Sequence, residues 1–187
     1  VEPAEPWNEG EPAHFLPLLA VAKKSLAPSS ETQVRVVKDG GARSQDRASL
    51  NDVLEKGPNC LPSIVSVLLH FRRREIAIVC DIEKAFHKLA INKQHRTFLR
   101  FYWAPGVATN PNAPIRQYWA TVLDFGLVCS PWLHCETVKY HLNTEVAAHP
   151  EREKFLREVQ RSAYMDDVLA TVNSLKEAKT GVSWLVE

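Results

Sequence analysis

An α+β fold is predicted, with a mostly antiparallel sheet and helices packed on one face. Three observations predict it. Apolar runs of strand length and apolar residues at helical spacing are both present. They are mixed along the chain without strict alternation, and no internal repeat organises them. The 187 residues, 45% hydrophobic and 24% charged, suffice for one well-buried domain or two lobes sharing a core, and not for a string of domains.

Residues 1–13 set Pro3, Pro6 and Pro12 among Glu2, Glu5, Glu9 and Glu11, a composition that buries too little apolar surface to order itself and reads as a linker or lead-in segment. Phe15 to Ala22 and Val34 to Val37 are apolar runs around a polar middle with Pro28, Ser29 and Ser30, which predicts two strands joined by a basic loop. Pro62 then opens a pattern at Ile64, Val65, Leu68, Leu69 and Phe71, the spacing of a helix ending near Arg72 to Arg74. Ile76 to Cys80 is a continuous apolar run, the pattern of a strand covered on both faces, and Asp81 stands at its far end.

Thr97 to Trp103 and Ile115 to Phe125 read as strands around the Pro/Gly/Asn-rich loop 104–114. From Pro131, Cys135, Val138, Leu142 and Val146 recur at helical steps until His149-Pro150. Glu151 to Arg161 is a short charged helix, and Ala163 to Val172 a hairpin centred on Met165, Asp166 and Asp167. Ser174 with Glu177 three residues on is a capping box for a last helix.

The formal net charge of +1 gives no global attraction to nucleic acid. Between Arg72 and Arg100, however, eight cationic residues face Glu75, Asp81 and Glu83, a local excess of about +5 that suits either a solvated face or phosphate contact. Cys60, Cys80, Cys129 and Cys135 show no CxxC pair or zinc-knuckle spacing and read as reduced, intracellular thiols. No apolar run has the length of a membrane span, so no membrane partner is expected, and a chain opening on Val1 reads as part of a longer polypeptide.

Tyr164-Met165-Asp166-Asp167 sets two adjacent acids in an apolar run. Enclosed side by side, like charges raise each other's pKa unless a cation shares the site. A hard ion such as Mg²⁺ takes one or two carboxylates with water and phosphate oxygens, and Asp81 is the natural third acid. On the dipeptide alone, an aspartate-rich hairpin turn explains the same residues.

Four segments carry a resemblance. Tyr164 to Asp167 fits the YxDD signature of reverse transcriptases, and Asp81-Ile82-Glu83-Lys84-Ala85-Phe86 resembles that family's first catalytic motif. Phe125 to Pro131 resembles the FGL-x-x-[SA]-P segment bordering the nucleotide pocket, and Arg35-Val36-Val37, Asp39 and Ser49 to Asp52 resemble the fingers segment. Within the family, the series RVV-x-D, SLND, GPN-x-LP, DIEKAF and FGL-x-CSP is most similar to the BEL/Pao group of long-terminal-repeat retrotransposons. Here these are Arg35 to Asp39, Ser49 to Asp52, Gly57 to Pro62, Asp81 to Phe86 and Phe125 to Pro131.

The resemblance implies the fingers and palm of a right-hand polymerase, with residues 14–74 fingers-like and 75–187 palm-like with interleaved fingers elements. The thumb and ribonuclease H lie outside this chain. It implies RNA-directed DNA synthesis by two-metal phosphoryl transfer with Mg²⁺ or Mn²⁺, on an RNA/DNA primer-template with deoxynucleoside triphosphates. The implied setting is an intracellular, cytoplasmic polyprotein that also carries thumb, ribonuclease H, protease and integrase. Asp81, Asp166 and Asp167 take the metal-ligand positions, and the backbone of Ile82 helps to hold the triphosphate. Phe86 takes the steric-gate position, Arg35 the triphosphate-contacting one, and Phe125 and Gly126 the pocket floor. A core phenylalanine and a surface arginine are the plainer readings of Phe86 and Arg35. Lys23 and Lys24 suit fingertip contacts or a solvated loop; His134 and His141 read as surface residues, and Trp103, Trp119 and Trp132 as core.

Some residues depart from the pattern. Lys38 stands where an apolar residue is usual, Gly40-Gly41 replace a small Ala-Ser pair, and Asp124 replaces the proline before FGL. A charge in a pocket wall strains it unless paired. The alternative function is therefore a decayed or co-opted copy that keeps the fold and nucleic-acid binding without catalysis. A palm without its thumb grips primer-template poorly, so the isolated chain is expected to show little processive synthesis.

Overall fold

The structure, a computed structural model, describes residues 1–23, 33–44 and 47–186, with Lys23 and Gln33 described through their backbone only. In chain order the elements are β1 (Glu2–Pro3), β2 (Leu18–Lys23), β3 (Gln33–Lys38), α1 (Leu50–Val53), α2 (Ile64–Phe71), β4 (Ile76–Asp81), β5 (Arg100–Trp103), β6 (Arg116–Trp119), α3 (Ser130–Ala148), α4 (Glu153–Ser162), β7 (Asp167–Val172) and α5 (Leu175–Val186). Short 3₁₀ turns lie at Ala85–Lys88, Lys93–Leu99 and Pro150–Arg152. The α+β class holds and the strand ladders are antiparallel, but the described strands divide among three small sheets rather than one.

Two compact units interleave in sequence. The first comprises Val1–Lys56 and Phe86–Ser130, the second Gly57–Ala85 and Pro131–Glu187. The chain crosses from one unit to the other three times.

In the first unit β2 and β3 form a hairpin from Leu18↔Lys38 to Lys23↔Gln33, and β6 lies between β1 and β5. The expectation that residues 1–13 stay unordered is overturned. Glu2 and Pro3 pair with Trp119 and Tyr118, the Ala4 N–H donates to the Gln117 carbonyl at 3.0 Å, and Arg100 donates to the Glu5 carbonyl at 2.7 Å. Sheet-edge hydrogen bonds order a segment that lacks apolar surface of its own. The strand expected from Thr97 begins only at Arg100, because Asn92 caps the preceding 3₁₀ turn by accepting from the Gln94 N–H. The strand expected over Ile115–Phe125 shrinks to β6. Beyond it the backbone turns to bond the 3₁₀ region, with Ile91 N–H to Thr121 and Leu123 N–H to Leu89.

In the second unit β4 and β7 pair antiparallel from Ile76↔Val172 to Asp81↔Asp167. Ile78, Val168, Ala170 and Val172 meet Phe155, Leu156 and Val159 of α4, Leu142 of α3 and Ala178 of α5 in one core. The coverage of β4 on both faces fails: Val79 is 62% exposed while Ile78 is 6% exposed. The hairpin at 163–172 is also asymmetric, since only Tyr164 bridges back to Asp167 and the long partner of β7 is β4. The Ser174 cap is present. Its hydroxyl accepts from the Glu177 N–H at 3.2 Å, and the Glu177 carboxylate accepts from Asn173, one residue before the cap.

Candidate active site

The three candidate acids come together in the second unit. Asp81 ends β4 and is the register partner of Asp167, which opens β7, and Asp166 precedes it in the turn. The turn is closed by Tyr164 and Asp167, which exchange N–H···O bonds of 2.9 and 3.0 Å, and Met165 adopts a left-handed φ of 54°. All three carboxylates are exposed, which corrects the expectation of enclosed acids. Among the described residues none of the three meets a cationic side chain, and no group of three side chains is gathered in metal-holding geometry. The donor set fits a hard divalent cation nonetheless. Three adjacent carboxylate side chains carry like charge with no counter-ion among the described residues, and oxygen donors are what such ions take.

The Ile82 N–H donates to the Asp166 carbonyl at 2.9 Å, which ties the first acid's strand to the turn of the second. Lys84, two residues on, turns the chain with a φ of 53° into the 3₁₀ segment that carries Phe86.

The Phe125–Gly126 segment is held within the first unit from several sides. The Asn51 amide donates to the Gly126 carbonyl at 2.8 Å and accepts from the Val128 N–H at 2.9 Å. The Asn51 N–H donates to the Gly40 carbonyl at 2.8 Å. Ser49 caps α1 reciprocally with Asp52, and these backbone and side-chain bonds from Ser49, with Arg43, bring the Asp52 carboxyl down to about 2. Gly126 has a φ of 94°, and a Cβ there would lie 2.1 Å from the Lys38 carbonyl oxygen. A Cβ on Gly40 would lie 2.8 Å from the Gly126 carbonyl oxygen, so the close approach of the two loops needs both glycines.

The two charged departures are paired with each other. Lys38 is 7% exposed and Asp124 6%, and the Lys38 ammonium ion-pairs with the Asp124 carboxylate. The other Asp124 oxygen accepts from the Phe125 N–H at 2.9 Å and lies 3.4 Å from His87 Nε2. The strain expected from an unpaired charge is therefore absent. Sequence reading missed this pair because its members lie 86 positions apart.

The remaining candidates divide. Phe86, 9% exposed, meets Phe125 edge-on at 4.9 Å, and Phe125 itself is 49% exposed. Arg35 lies exposed on β3 opposite Val21. Lys24 and the side chain of Lys23 fall outside the described residues. Three cations of the basic stretch serve structure: Arg74 pairs with buried Glu158 at 3.7 Å, Arg96 with Glu2 at 2.9 Å, and Arg100 is buried. Trp103 is exposed rather than core, and His134 is buried rather than a surface residue. All four cysteines are free and half-buried. Burial, with Cys60 beside it, pushes the Cys135 thiol up to about 11, which disfavours the reactive thiolate.

A family model described as reverse transcriptase (RNA-dependent DNA polymerase) matches residues 37–187. The chain belongs to the reverse transcriptase family. Among solved structures it is similar to a foamy viral protease-reverse transcriptase in complex with double-stranded DNA, at TM-score 0.62 and 17% identity over 91% of this chain and 24% of that one. A foamy viral protease-reverse transcriptase in complex with RNA/DNA hybrid is similar at TM-score 0.61 and 18% identity, over 93% of this chain and 19% of that one. The likeness is one of fold, and this reverse transcriptase chain spans about a quarter or less of either protein. No curated protein matches it. Among the described residues no helix is long and apolar enough to cross a membrane.

Proposed function

We propose that this chain carries the catalytic acids of an RNA-directed DNA polymerase from a BEL/Pao-type retrotransposon polyprotein. The observation that carries the reading is the pairing of Asp81 with Asp167, beside Asp166, as exposed carboxylates without a cationic partner among the described residues, on a reverse-transcriptase fold. Family membership and the ordered motif series support it.

Asp81, Asp166 and Asp167 would hold divalent cations, Mg²⁺ or Mn²⁺, whose charge would favour attack by a primer 3′-hydroxyl and departure of pyrophosphate. The chain's own residues do the rest. The Ile82–Asp166 bond and the closed turn orient the acids, and the Arg35 guanidinium suits bidentate contact with triphosphate oxygens. Phe86, backed by Phe125, restricts the sugar and so favours deoxynucleotides, while Phe125 and Gly126 receive the nucleobase. The substrate pair is an RNA/DNA primer-template with deoxynucleoside triphosphates, in keeping with the duplexes bound by the foamy viral proteins. Thumb, ribonuclease H, protease and integrase complete the polyprotein.

The decayed-copy alternative loses one support, since Lys38 and Asp124 neutralise each other. The test is extension of a DNA primer on an RNA template by the complete protein with Mg²⁺ or Mn²⁺. Extension abolished by chelation is expected; a folded protein that extends nothing would leave the catalytically silent reading.

A further inference from the structure

We propose that His134 is the positioning residue of the acid turn: from inside α3 its imidazole pins the Met165 carbonyl, and with it the backbone that carries Asp166 and Asp167. The kinetic half of this inference rests on the polymerase reading of those acids; the structural half does not.

His134 is 2% exposed, and its Nε2 lies 3.2 Å from the Met165 carbonyl oxygen. A carbonyl only accepts, so Nε2 carries the hydrogen and donates. Met165 is the strained residue of the turn, with a φ of 54° that a side chain other than glycine's disfavours. Such a conformation persists only where its surroundings hold it. Other backbone groups of the turn are engaged on the sheet side, by the Tyr164–Asp167 exchange and the bond from Ile82 to Asp166. The Met165 carbonyl instead meets the helix.

The sequence places the imidazole there. His134, Val138 and Leu142 recur at four-residue steps, Leu142 belongs to the core, and Val138 packs against it. A polar ring on a buried stripe needs a hydrogen-bond partner, and the turn supplies one.

Leucine or phenylalanine at position 134 fills space without donating, whereas the glutamine amide nitrogen can stand in for Nε2. The experiment compares wild type, His134→Leu, His134→Phe and His134→Gln by amide hydrogen exchange and, in the complete protein, by steady-state primer extension. Losing one hydrogen bond predicts about tenfold faster exchange at Tyr164, Asp167 and Ile82 in the Leu and Phe variants, with the Val168–Val172 amides unchanged. It also predicts a kcat about tenfold lower at unchanged KM for deoxynucleotide, with both effects reversed in His134→Gln. Unchanged exchange in whichever donor-less variant folds, or a Gln variant no better than that one, would overturn the proposal in favour of packing alone. If wild type extends no primer, the polymerase reading fails while the exchange comparison still decides the role of His134.

Discussion

Asp124 in the first unit and Asp166 with Asp167 in the second are the same residue type in two electrostatic settings. Asp124 is buried, and its carboxylate is neutralised by Lys38, bonded by the Phe125 N–H and approached by His87. Asp166 and Asp167 are exposed beside Asp81, and among the described residues no cationic side chain answers them. An enclosed carboxylate has to find its counter-charge in the protein, because little water remains to solvate it. An exposed cluster left unneutralised stays available to a charge brought from outside. The first arrangement holds a loop; the second is what a cation-dependent reaction on a polyanion requires.

That contrast can be broken most sharply at Lys38. Replacing Lys38 with Met leaves the Asp124 carboxylate enclosed without its ion-pair partner, and a loss of about 3–5 kcal/mol of stability is expected in denaturant unfolding. A loss below about 1 kcal/mol would mean that water reaches Asp124 and that the two settings differ less than drawn. Combining Lys38→Met with Asp124→Leu should recover most of the loss, since buried pairs replaced by apolar residues are often neutral. No recovery would show that the Asp124 bond to Phe125, and not the ion pair, dominates.

A smaller effect is expected at Asn51, whose amide bonds both Gly126 and Val128. Asn51→Ala should cost about 1–3 kcal/mol by leaving backbone groups of that loop without their partner. The smallest effect concerns Asp52, held at about 2 by Ser49 and Arg43. A lowered folded-state pKa contributes stability that is fully present above the ordinary carboxylate range and is lost as pH falls toward about 2. Ser49→Ala removes the hydroxyl but keeps the Ser49 N–H bond, so it should raise the Asp52 pKa part of the way toward that range in a carboxyl NMR titration and weaken the pH dependence in that window; an unmoved pKa would assign the shift to the Ser49 backbone N–H and Arg43.

Much of the candidate acid turn was legible in the sequence because its signals are local. Asp81 at the end of an apolar run, the turn at Met165–Asp166, the helical spacing after Pro131 and the Ser174–Glu177 cap each lie within a few residues of one another. What escaped is non-local. The Lys38–Asp124 pair joins positions far apart, and each partner alone reads as a defect. His134 lies on the stripe of Val138 and Leu142, a spacing that gave a usable signal, but a polar residue weighs against burial unless its partner is known. The order of the first residues escaped because composition reports available apolar surface, whereas a sheet edge orders a backbone through hydrogen bonds.

The most direct test of the claim that the exposed acids carry function and the buried pair carries structure is Asp166→Asn in the complete protein, assayed on an RNA template alongside thermal unfolding. Extension should fall by on the order of a thousandfold or more. Stability should stay within about 0.5 kcal/mol of wild type, because the replaced side chain is exposed. Undiminished extension by Asp166→Asn, or a loss of activity matched by a loss of the fold, would contradict it.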